Sequence, residues 1–490
     1  MNNTFPLPET SAEEKLHSRL DRANIDAAAR GPVLHFFVSA LLWLLAGSAL
    51  ALLASIKMHS PGFLAGTDWL TFGRVRPAHL TTMVYGWATM AGIGAALWMM
   101  SRLCRAPLQN TGWLHLSAVL LNAGNLVGTC GVLAGRSTAI EWLEYPREAG
   151  IFIAAAFVPL IIAFASMARR RQPGHIYVSQ WYLMAAVFWF PWLYLTAEVL
   201  LLWQPVAAPA QPPVNWWFAH NVLGLWFTPV CLAAAYYLIP KVLGKPIHSY
   251  YLSIVGFWSL AFFYAWNGMH HLIGGPYPAW LISVSIVASL MMFIPVITVA
   301  VNHHFTVLGS FSYVRSSPTL RFVVFAAMNY TLVSVQGSLM AVRAVNHVTH
   351  FTHYTIAHSH LGMYAFVTMM LFGSMYYIMP RLTGREWPSR RLIQVHFWCC
   401  GLGVLHYFAV LSVAGIEEGY GLLNESVPFI DIVKHTLPYL VQRSWAGTAM
   451  TVGHLAFAIN FVWLLLRQPG TQRQPTLLTL SNNTPAPVLS

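Results

Sequence analysis

Long apolar stretches separated by short polar connections fill this chain of 490 residues. A helix that crosses a bilayer needs about 20 mostly apolar residues, and twelve such stretches lie between residues 33 and 467. They fall near 33–55, 78–101, 113–133, 149–168, 178–202, 215–239, 252–273, 279–301, 320–340, 355–379, 392–415 and 445–467. The pattern predicts an all-α membrane protein of twelve transmembrane helices, with polar tails at 1–32 and 468–490 and one long connection at 416–444.

Composition excludes a soluble protein, because 57% of the residues are hydrophobic and 9% are charged, against about 25% charged in soluble domains. The net charge of +12 comes from basic residues spread over short connections, so it forms no stripe for nucleic acid and we expect no such partner. Basic connections alternate with acidic or neutral ones. The positive-inside rule then makes the basic connections and both termini cytoplasmic.

Histidine is frequent, with 21 residues, and six of them fall at one depth of the predicted bundle. They are His79, His220, His270, His271, His358 and His360. In the predicted orientation these six lie in the outer third of the membrane, on four different spans. Ionisable side chains at membrane depth are costly, so imidazoles converging from both directions predict a metal or haem layer.

The His358-Ser359-His360 motif points two imidazoles to opposite sides of one helix, because successive helical residues are about 100° apart. One helix can therefore supply ligands to two haems. His79, on another span, can complete a pair of imidazoles around one of them. That haem would be low-spin and confined to electron transfer, while the other keeps an open face.

The remaining imidazoles, His220, His270 and His271, form a donor set that suits copper, zinc or iron. Tyr264 lies seven residues before His271, which in a continuous helix is two turns away on about the same face. It can present a phenol to the metal as a source of a proton and an electron. For a tyrosine alone a packing or interfacial role is the ordinary interpretation, but the adjacent His-His pair favours the functional one.

Five segments resemble subunit I of the haem–copper oxidase superfamily, and within it the C family of cbb3-type cytochrome c oxidases. They are FGRVRPAH at 72–79, NWWFAHNVLGLWFTP at 215–229, YYLIPKVLGKPIHSYYLSIVGFW at 236–258, FYAWNGMHHL at 263–272 and VNHVTHFTHYTIAHSHLG at 345–362. The segments occur in family order and run from the second predicted span to the tenth. The resemblance implies the haem–copper oxidase subunit I fold and the activity of a terminal respiratory oxidase.

Position by position, the resemblance implies a ligand for each cofactor. The implied ligands are His79 and His360 for low-spin haem b, His358 for high-spin haem b3, and His220, His270 and His271 for copper B. Tyr264 takes the place of the family's active-site tyrosine, which is covalently linked to a copper-ligating histidine, here His220. Other oxidase families carry this tyrosine four residues after the first copper ligand, where this chain has Gly224.

Gly224 also bears on the main alternative. Related nitric oxide reductases carry a glutamate at this position that helps to bind a non-haem iron, whereas an all-imidazole set suits copper. The resemblance therefore implies reduction of O₂ to water, with reduction of NO as the alternative. A non-catalytic haem carrier or transporter is a minor alternative that stoichiometric copper would exclude.

Several positions of the outer loop and the high-spin site depart from the family pattern. Gln336 stands where a glutamate is usual near the high-spin haem, so one titratable group is missing. His353 replaces an acid and His347 is an additional imidazole, which leaves propionate contact, metal binding and no role open for this loop. His350 matches a family histidine near the propionates, or else it caps the tenth span.

Two further residues match positions beside the haem propionates. They are Arg76, which gives the positive first outer loop an anionic partner, and Trp216. A calcium ion that bridges propionates is a family feature, and Glu144 is its candidate ligand.

The family's proton route from the cytoplasm implies Thr228, Ser253 and Tyr330, whose hydroxyls can relay protons through water. Each of them, taken alone, would be an ordinary helix hydroxyl bonded to its own backbone. The chain has no Cys-x-x-Cys-His motif, so c-type haems must lie on partners, expected to be membrane-anchored mono- and dihaem cytochromes c. The implied location is the bacterial inner membrane, with O₂ reduction coupled to proton translocation.

Overall fold

The computed structural model describes residues 12–468 and 474–479, and within these ranges every regular element is helical. The α-helices are α1 (Ala12–His59), α2 (Phe72–Thr81), α3 (Thr89–Cys104), α4 (Thr111–Leu133), α5 (Arg147–Arg169), α6 (Val178–Glu198), α7 (Gln211–Val222), α8 (Thr228–Leu243), α9 (Tyr250–Tyr264), α10 (Ala279–Met291), α11 (Phe293–Val307), α12 (Phe311–Ser316), α13 (Pro318–Met340), α14 (Arg343–Thr349), α15 (His353–His360), α16 (Met369–Thr383), α17 (Arg390–Leu422) and α18 (Phe429–Leu466). Short 3₁₀ turns lie at Asp68–Leu70, Ala208–Ala210 and Met269–Leu272, and π-helical turns at Thr82–Ala88, Val199–Trp203, Leu223–Phe227 and Leu361–Thr368.

Eleven helical segments of the described chain are long and apolar enough to cross a bilayer, and the apolar α9, at the place of the remaining predicted crossing, is shorter than these. Its 15 residues span about 22 Å, less than the roughly 30 Å of a hydrocarbon core. The prediction that this helix continues to 273 is wrong. The chain leaves the helix after Tyr264, and Gly268 adopts a left-handed φ of +102° that a right-handed helix cannot contain.

The close approach of Gly268 to its surroundings explains the break. A Cβ at this position would lie 2.5 Å from the Trp216 carbonyl oxygen, so a helix carrying side chains does not fit here. The Met269–Leu272 turn completes the crossing instead. Non-helical backbone is tolerated at membrane depth only where protein or a cavity surrounds it, so this break marks the interior of the bundle.

Helix ends extend beyond several predicted spans. Helix α1 begins at Ala12, so much of the predicted 1–32 tail continues the first crossing. The predicted connection at 416–444, where the sequence left room for a short surface helix, is largely helical, because α17 runs to Leu422 and α18 begins at Phe429 and only 423–428 lies between them. Glu417 joins the two extensions by accepting hydrogen bonds from His435 at 2.9 Å and Tyr439 at 2.7 Å.

Part of the predicted C-terminal tail also packs against the helices. The Thr476 backbone N–H donates to Glu386 Oε2 at 3.1 Å, and the Leu478 N–H donates to the Ser316 carbonyl at 2.7 Å. Burial raises the pKa of Glu386, and the Thr476 N–H opposes that shift. Residues 474–479 therefore cover a small cavity of about 70 Å³ beside Tyr376 and Trp387.

Three crossings form the centre of the bundle. In Phe72–Cys104, Ala208–Leu243 and His353–Thr383, 89–94% of the most apolar stretch is buried, against 39–56% in the other crossings. These three segments carry His79, His220, His358 and His360. Each contains a π-helical turn that starts within three residues of one of these histidines. Such turns are frequent at functional sites.

Candidate metal centre

Three imidazoles converge inside the bundle. His220 comes from α7, while His270 and His271 come from the Met269–Leu272 turn, and one nitrogen of each lies within 4.8 Å of the others. The ring centroids are 5.1 Å apart for His220 and His270 and 4.5 Å apart for His270 and His271. Across the described ranges this is the one group of three His, Cys, Asp or Glu side chains with metal-binding spacing.

His270 is oriented by two serines of α10. Its backbone N–H donates to Ser285 Oγ at 2.9 Å, and its Nδ1 lies 3.0 Å from Ser289 Oγ and 3.3 Å from Ser285 Oγ. The serines are four residues apart and therefore lie on one face of their helix. With Nδ1 engaged by hydroxyls, His270 presents Nε2 to the cluster.

The other two rings differ in how they are held: His271 packs on an indole, and one buried nitrogen of His220 has no hydrogen-bond partner within the described structure. The His271 ring stacks on Trp216 with a centroid distance of 4.1 Å and an interplanar angle of 9°. His220 Nδ1 is buried and has no hydrogen-bond partner within the described structure. A buried imidazole nitrogen is costly without a partner, so this atom suits a metal ligand. Trp216 thus supports the cluster directly, and its propionate contact stays a prediction.

Tyr264 lies beside His220, at the last residue of α9. The two ring centroids are 4.8 Å apart, with an interplanar angle of 36°. A Cβ at position 224 would fall 1.8 Å from Tyr264 Cε1, so the ring occupies the space that Gly224 leaves free. The expected route to this proximity, two helical turns before His271, is wrong because the helix ends at Tyr264 itself.

His79 and His360 are held by the same kind of hydrogen bond, from ring Nδ1 to a backbone carbonyl. His79 Nδ1 lies 3.0 Å from the Gly47 carbonyl, and His360 Nδ1 lies 2.9 Å from the Ile356 carbonyl of its own helix. A carbonyl can only accept, so each Nδ1 carries the proton and each Nε2 is left as a lone-pair donor. The His360 ring also packs on Tyr407, with a centroid distance of 4.5 Å.

His358 faces a different neighbour from His360. Its Nδ1 lies 3.2 Å from Gln336 Oε1, and a Cβ at Gly337 would meet its Cε1 at 3.0 Å. His358 therefore faces α13, whereas His360 faces Tyr407 of α17. The H-x-H motif directs its two rings to different sides of the helix, which is the geometry expected for ligands of two haems.

Acidic residues surround Arg76 on the outer side. Arg76 Nη2 lies 3.2 Å from Glu141 Oε1, and its Nη1 lies 3.5 Å from Glu144 Oε1. Both Glu144 oxygens are buried without a hydrogen-bond partner of standard geometry. Burial raises the pKa of Glu144 to about 7, and Arg76 opposes the shift. Sequence reasoning missed Glu141, although the E-x-x-E spacing of EWLE was a signal.

The histidines of the outer loop separate into distinct environments. His353 Nδ1 pairs with Glu418 Oε2 at 2.7 Å, and its ring therefore has a structural partner. His347 is exposed, and His350 stacks on Phe351 with centroids 3.8 Å apart. The alternative that His350 caps the following helix is wrong, because Thr352 holds the N-cap position and accepts from the Tyr354 N–H.

The residues of the predicted proton route lie on three different helices, α8, α9 and α13. Ser253 Oγ accepts from Asn302 Nδ2 at 3.1 Å, and the same amide lies 3.3 Å from Tyr236 Oη. Thr228 begins α8 directly after a π-helical turn, and Tyr330 is buried in α13. Asn302 and Tyr236 were missed by sequence reasoning, although an asparagine within an apolar span was a signal.

The chain is similar to known oxidase subunits. The family model described as "Cytochrome C and Quinol oxidase polypeptide I" matches residues 31–449. The chain is 30% identical to a cytochrome c oxidase subunit 1 homolog of Azorhizobium caulinodans, covering 89% of this chain and 82% of that protein. It is 29% identical to the cbb3-type cytochrome c oxidase subunit CcoN1 of Stutzerimonas stutzeri, covering 87% and 93%.

A solved structure gives the same fold. A heme-copper terminal oxidase dimer studied by cryo-EM superposes with a TM-score of 0.76, covering 94% of this chain and 88% of that chain, at 15% identity. The predicted haem–copper oxidase subunit I fold is therefore confirmed.

Proposed function

The chain belongs to the cytochrome c and quinol oxidase polypeptide I family, and on this basis we propose that it is the catalytic subunit of a cbb3-type cytochrome c oxidase. In this role it reduces O₂ to water with electrons from c-type cytochromes and couples the reaction to proton translocation. The observation that carries the proposal is the contact of Tyr264 with His220 over Gly224, within an all-imidazole cluster.

The cluster fits a copper ion. Imidazole nitrogen is a good donor for copper, and the described residues around the cluster supply no carboxylate ligand. His220 Nδ1 is buried without a partner, and the two serines leave His270 Nε2 free. His220, His270 and His271 would hold copper B through these nitrogens.

The other three histidines fit haem iron. His79 and His360 each donate Nδ1–H to a backbone carbonyl, which fixes the ring and makes Nε2 a stronger ligand. These two residues would be the ligands of low-spin haem b. His358, with Nδ1 directed at Gln336, would be the ligand of high-spin haem b3.

The buried carboxyl of Glu144 fits a cation. The Glu144 oxygens lack hydrogen-bond partners of standard geometry, and carboxylate oxygen is the donor that calcium prefers. Glu144 would bind calcium, while Arg76 and Trp216, with His350 near the cluster, would face propionates.

When bound, haem and copper supply the redox chemistry that breaks the O–O bond. Tyr264 holds a proton and an electron at its phenol beside His220, where the reaction consumes both. The Ser253, Asn302 and Tyr236 contacts order polar groups on the inner side of Tyr264. Together with Thr228 and Tyr330 they form the proposed path by which protons reach the phenol from the cytoplasm.

Electrons must come from partners, because the sequence contains no Cys-x-x-Cys-His motif for covalent c haem. Membrane-anchored mono- and dihaem cytochromes c that donate on the outer side are the proposed partners. The proposed location is the bacterial inner membrane with both termini cytoplasmic, since the basic connections lie at that end of the crossings.

Copper content and gas turnover of the purified complex test this function. We expect one copper for two b-type haems, and O₂ turnover that exceeds NO turnover. Tyr264→Phe should abolish O₂ turnover and keep both metals. Tyr194→Phe is the matched control, because it removes another buried phenol hydroxyl, whose recorded partner is Glu198 and not His220.

Opposite outcomes would identify the alternatives. Iron in place of copper, together with NO turnover that is independent of Tyr264, would establish a nitric oxide reductase. Haem without stoichiometric copper and without turnover of either gas would establish a carrier. O₂ turnover that survives Tyr264→Phe would overturn the role of the phenol.

A further inference from the structure

One buried imidazole outside the metal cluster bridges two crossings. His454 of α18 is 3% exposed, and both of its ring nitrogens have partners. Its Nδ1 lies 2.7 Å from Ser48 Oγ of α1, and its Nε2 lies 2.7 Å from Tyr364 Oη. Bonds of this length between fully buried groups fix the relative position of the elements that carry them.

The direction of each hydrogen bond follows from the partners. The Ser48 hydroxyl donates to the Leu44 carbonyl at 2.6 Å, so its oxygen accepts from His454 Nδ1–H. Neutral histidine carries one ring proton, so Nε2 must accept from the Tyr364 hydroxyl. The chain from Tyr364 through His454 to Ser48 and Leu44 is thus satisfied by a single tautomer.

Both ends of this chain lie beside candidate haem ligands. Ser48 follows Gly47, whose carbonyl accepts from His79 Nδ1 at 3.0 Å. Tyr364 lies four residues after His360, about one turn further along the same crossing. His454 therefore connects the α1 turn that orients one predicted axial ligand to the helix that carries the other.

We propose that His454 is a positioning residue for the low-spin haem. It fixes the α1 turn that presents the Gly47 carbonyl to His79, relative to the crossing that carries His360. The hydrogen bond from Nδ1–H to a carbonyl makes an imidazole ligand more basic and so favours the oxidised iron. This inference rests on the proposed function, because it takes His79 and His360 as axial ligands.

His396 provides a matched control. It is fully buried in α17, and its Nδ1 lies 2.8 Å from Tyr376 Oη, so it resembles His454 in burial and in its tyrosine partner. Its Nε2 has no hydrogen-bond partner within the described structure. Loss of His396 therefore breaks a similar bond without a hydrogen bond to α1.

The experiment compares His454→Leu, Ser48→Ala and His396→Leu with the unmodified protein in the purified complex. Haem content, the low-spin EPR g values and the midpoint potential of the low-spin haem are measured for each. Loss of a supporting partner of a metal ligand typically costs about 10–100-fold in metal affinity or activity. We expect His454→Leu to keep its haem, to shift the g values and to raise the potential by about 59 mV, which is tenfold for one electron.

Ser48→Ala should shift the potential in the same direction by less, and His396→Leu should match the unmodified protein. Unchanged g values and potential in both His454→Leu and Ser48→Ala would overturn the inference, as would an equal shift in His396→Leu. If His454→Leu accumulates without haem, Ser48→Ala decides by the same measurements. Absence of a bis-histidine low-spin signal in the unmodified protein would instead overturn the proposed function.

Discussion

The two groups of imidazoles are held in different ways. His79 and His360, the proposed low-spin haem ligands and here called the pair, each donate Nδ1–H to a backbone carbonyl of a helix. In the three-histidine cluster, side chains do the holding: hydroxyls of α10 orient His270 and an indole supports His271. A carbonyl within a helix is fixed by the backbone, which suits ligands that keep one arrangement while electrons pass.

The backbone around the two sites differs in the same sense. His79 and His360 lie in α2 and α15, whereas His270 and His271 lie in a short turn after the broken end of α9. Side chains can shift more readily than a helix backbone, and His220 Nδ1 has no partner in the protein. We infer that the pair holds its two imidazoles in one fixed arrangement, whereas the cluster lets its imidazoles adjust around a reacting centre.

Removing one ligand from each site gives the largest effect and tests whether the sites are independent. We expect His271→Ala to lose copper and at least about 100-fold in O₂ turnover, since even supporting partners are worth 10–100-fold. Its two haems should remain. His79→Ala should keep copper and lose the low-spin haem. Copper and haem per polypeptide are the measurements, and stoichiometric copper in His271→Ala would contradict the assignment.

The contact between Gly224 and Tyr264 is the next target, because it distinguishes the cluster from the pair. A methyl group at this position would fall 1.8 Å from Tyr264 Cε1, so Gly224→Ala must displace the ring. A misplacement of about 1 Å can cost about 100-fold in rate, and we expect a loss of that size in O₂ turnover with copper retained.

Gly92→Ala is the control for this change, because a Cβ there would meet Val230 Cγ1 at an ordinary 3.5 Å. It should leave turnover unchanged. Full O₂ turnover in Gly224→Ala would show that the position of the phenol is unimportant.

Much of this comparison was accessible from the sequence. Hydropathy placed the crossings, and charge alternation placed His79, His220, His270, His271, His358 and His360 at one depth. Spacing then grouped His220, His270 and His271 apart from the haem candidates, and the resemblance to the C family added which histidine of the H-x-H motif pairs with His79. Helix periodicity predicted opposite directions for His358 and His360, and in the structure the two rings do face different helices.

The sequence could not predict the contacts that hold the imidazoles, because these join segments that are distant along the chain. Ser285 and Ser289 reach His270 from another helix, and His454 reaches Ser48 across more than 400 residues. Periodicity also assumed a continuous helix from Tyr264 to His271, whereas the approach of Gly268 to a neighbouring carbonyl breaks it. Tyr264 nevertheless lies beside His220, a proximity that the resemblance implied and that helix periodicity does not explain.

His358 is intermediate between the two groups, because a side-chain amide accepts from its Nδ1 at 3.2 Å. We expect Gln336→Leu to make His358 a weaker ligand and to raise the midpoint potential of the high-spin haem by about 59 mV, which is tenfold for one electron. Gln336→Glu should shift that potential in the opposite direction, since a carboxylate is a stronger acceptor. Redox titration of the high-spin haem checks both, and shifts of the same sign would contradict the role of position 336 as an acceptor.

The smallest effect is expected where the cluster has two partners for one nitrogen. His270 Nδ1 lies 3.0 Å from Ser289 Oγ and 3.3 Å from Ser285 Oγ, so Ser289→Ala leaves one hydroxyl in reach. We expect copper affinity to fall by less than about 10-fold in Ser289→Ala, and by more in the Ser285→Ala, Ser289→Ala double variant. Copper titration of the two variants measures the difference. In the pair, each Nδ1 has a single carbonyl partner, so no second acceptor can replace it. Equal losses of copper affinity in the single and double variants would show that the second serine does not replace the first, and that the cluster is held as rigidly as the pair.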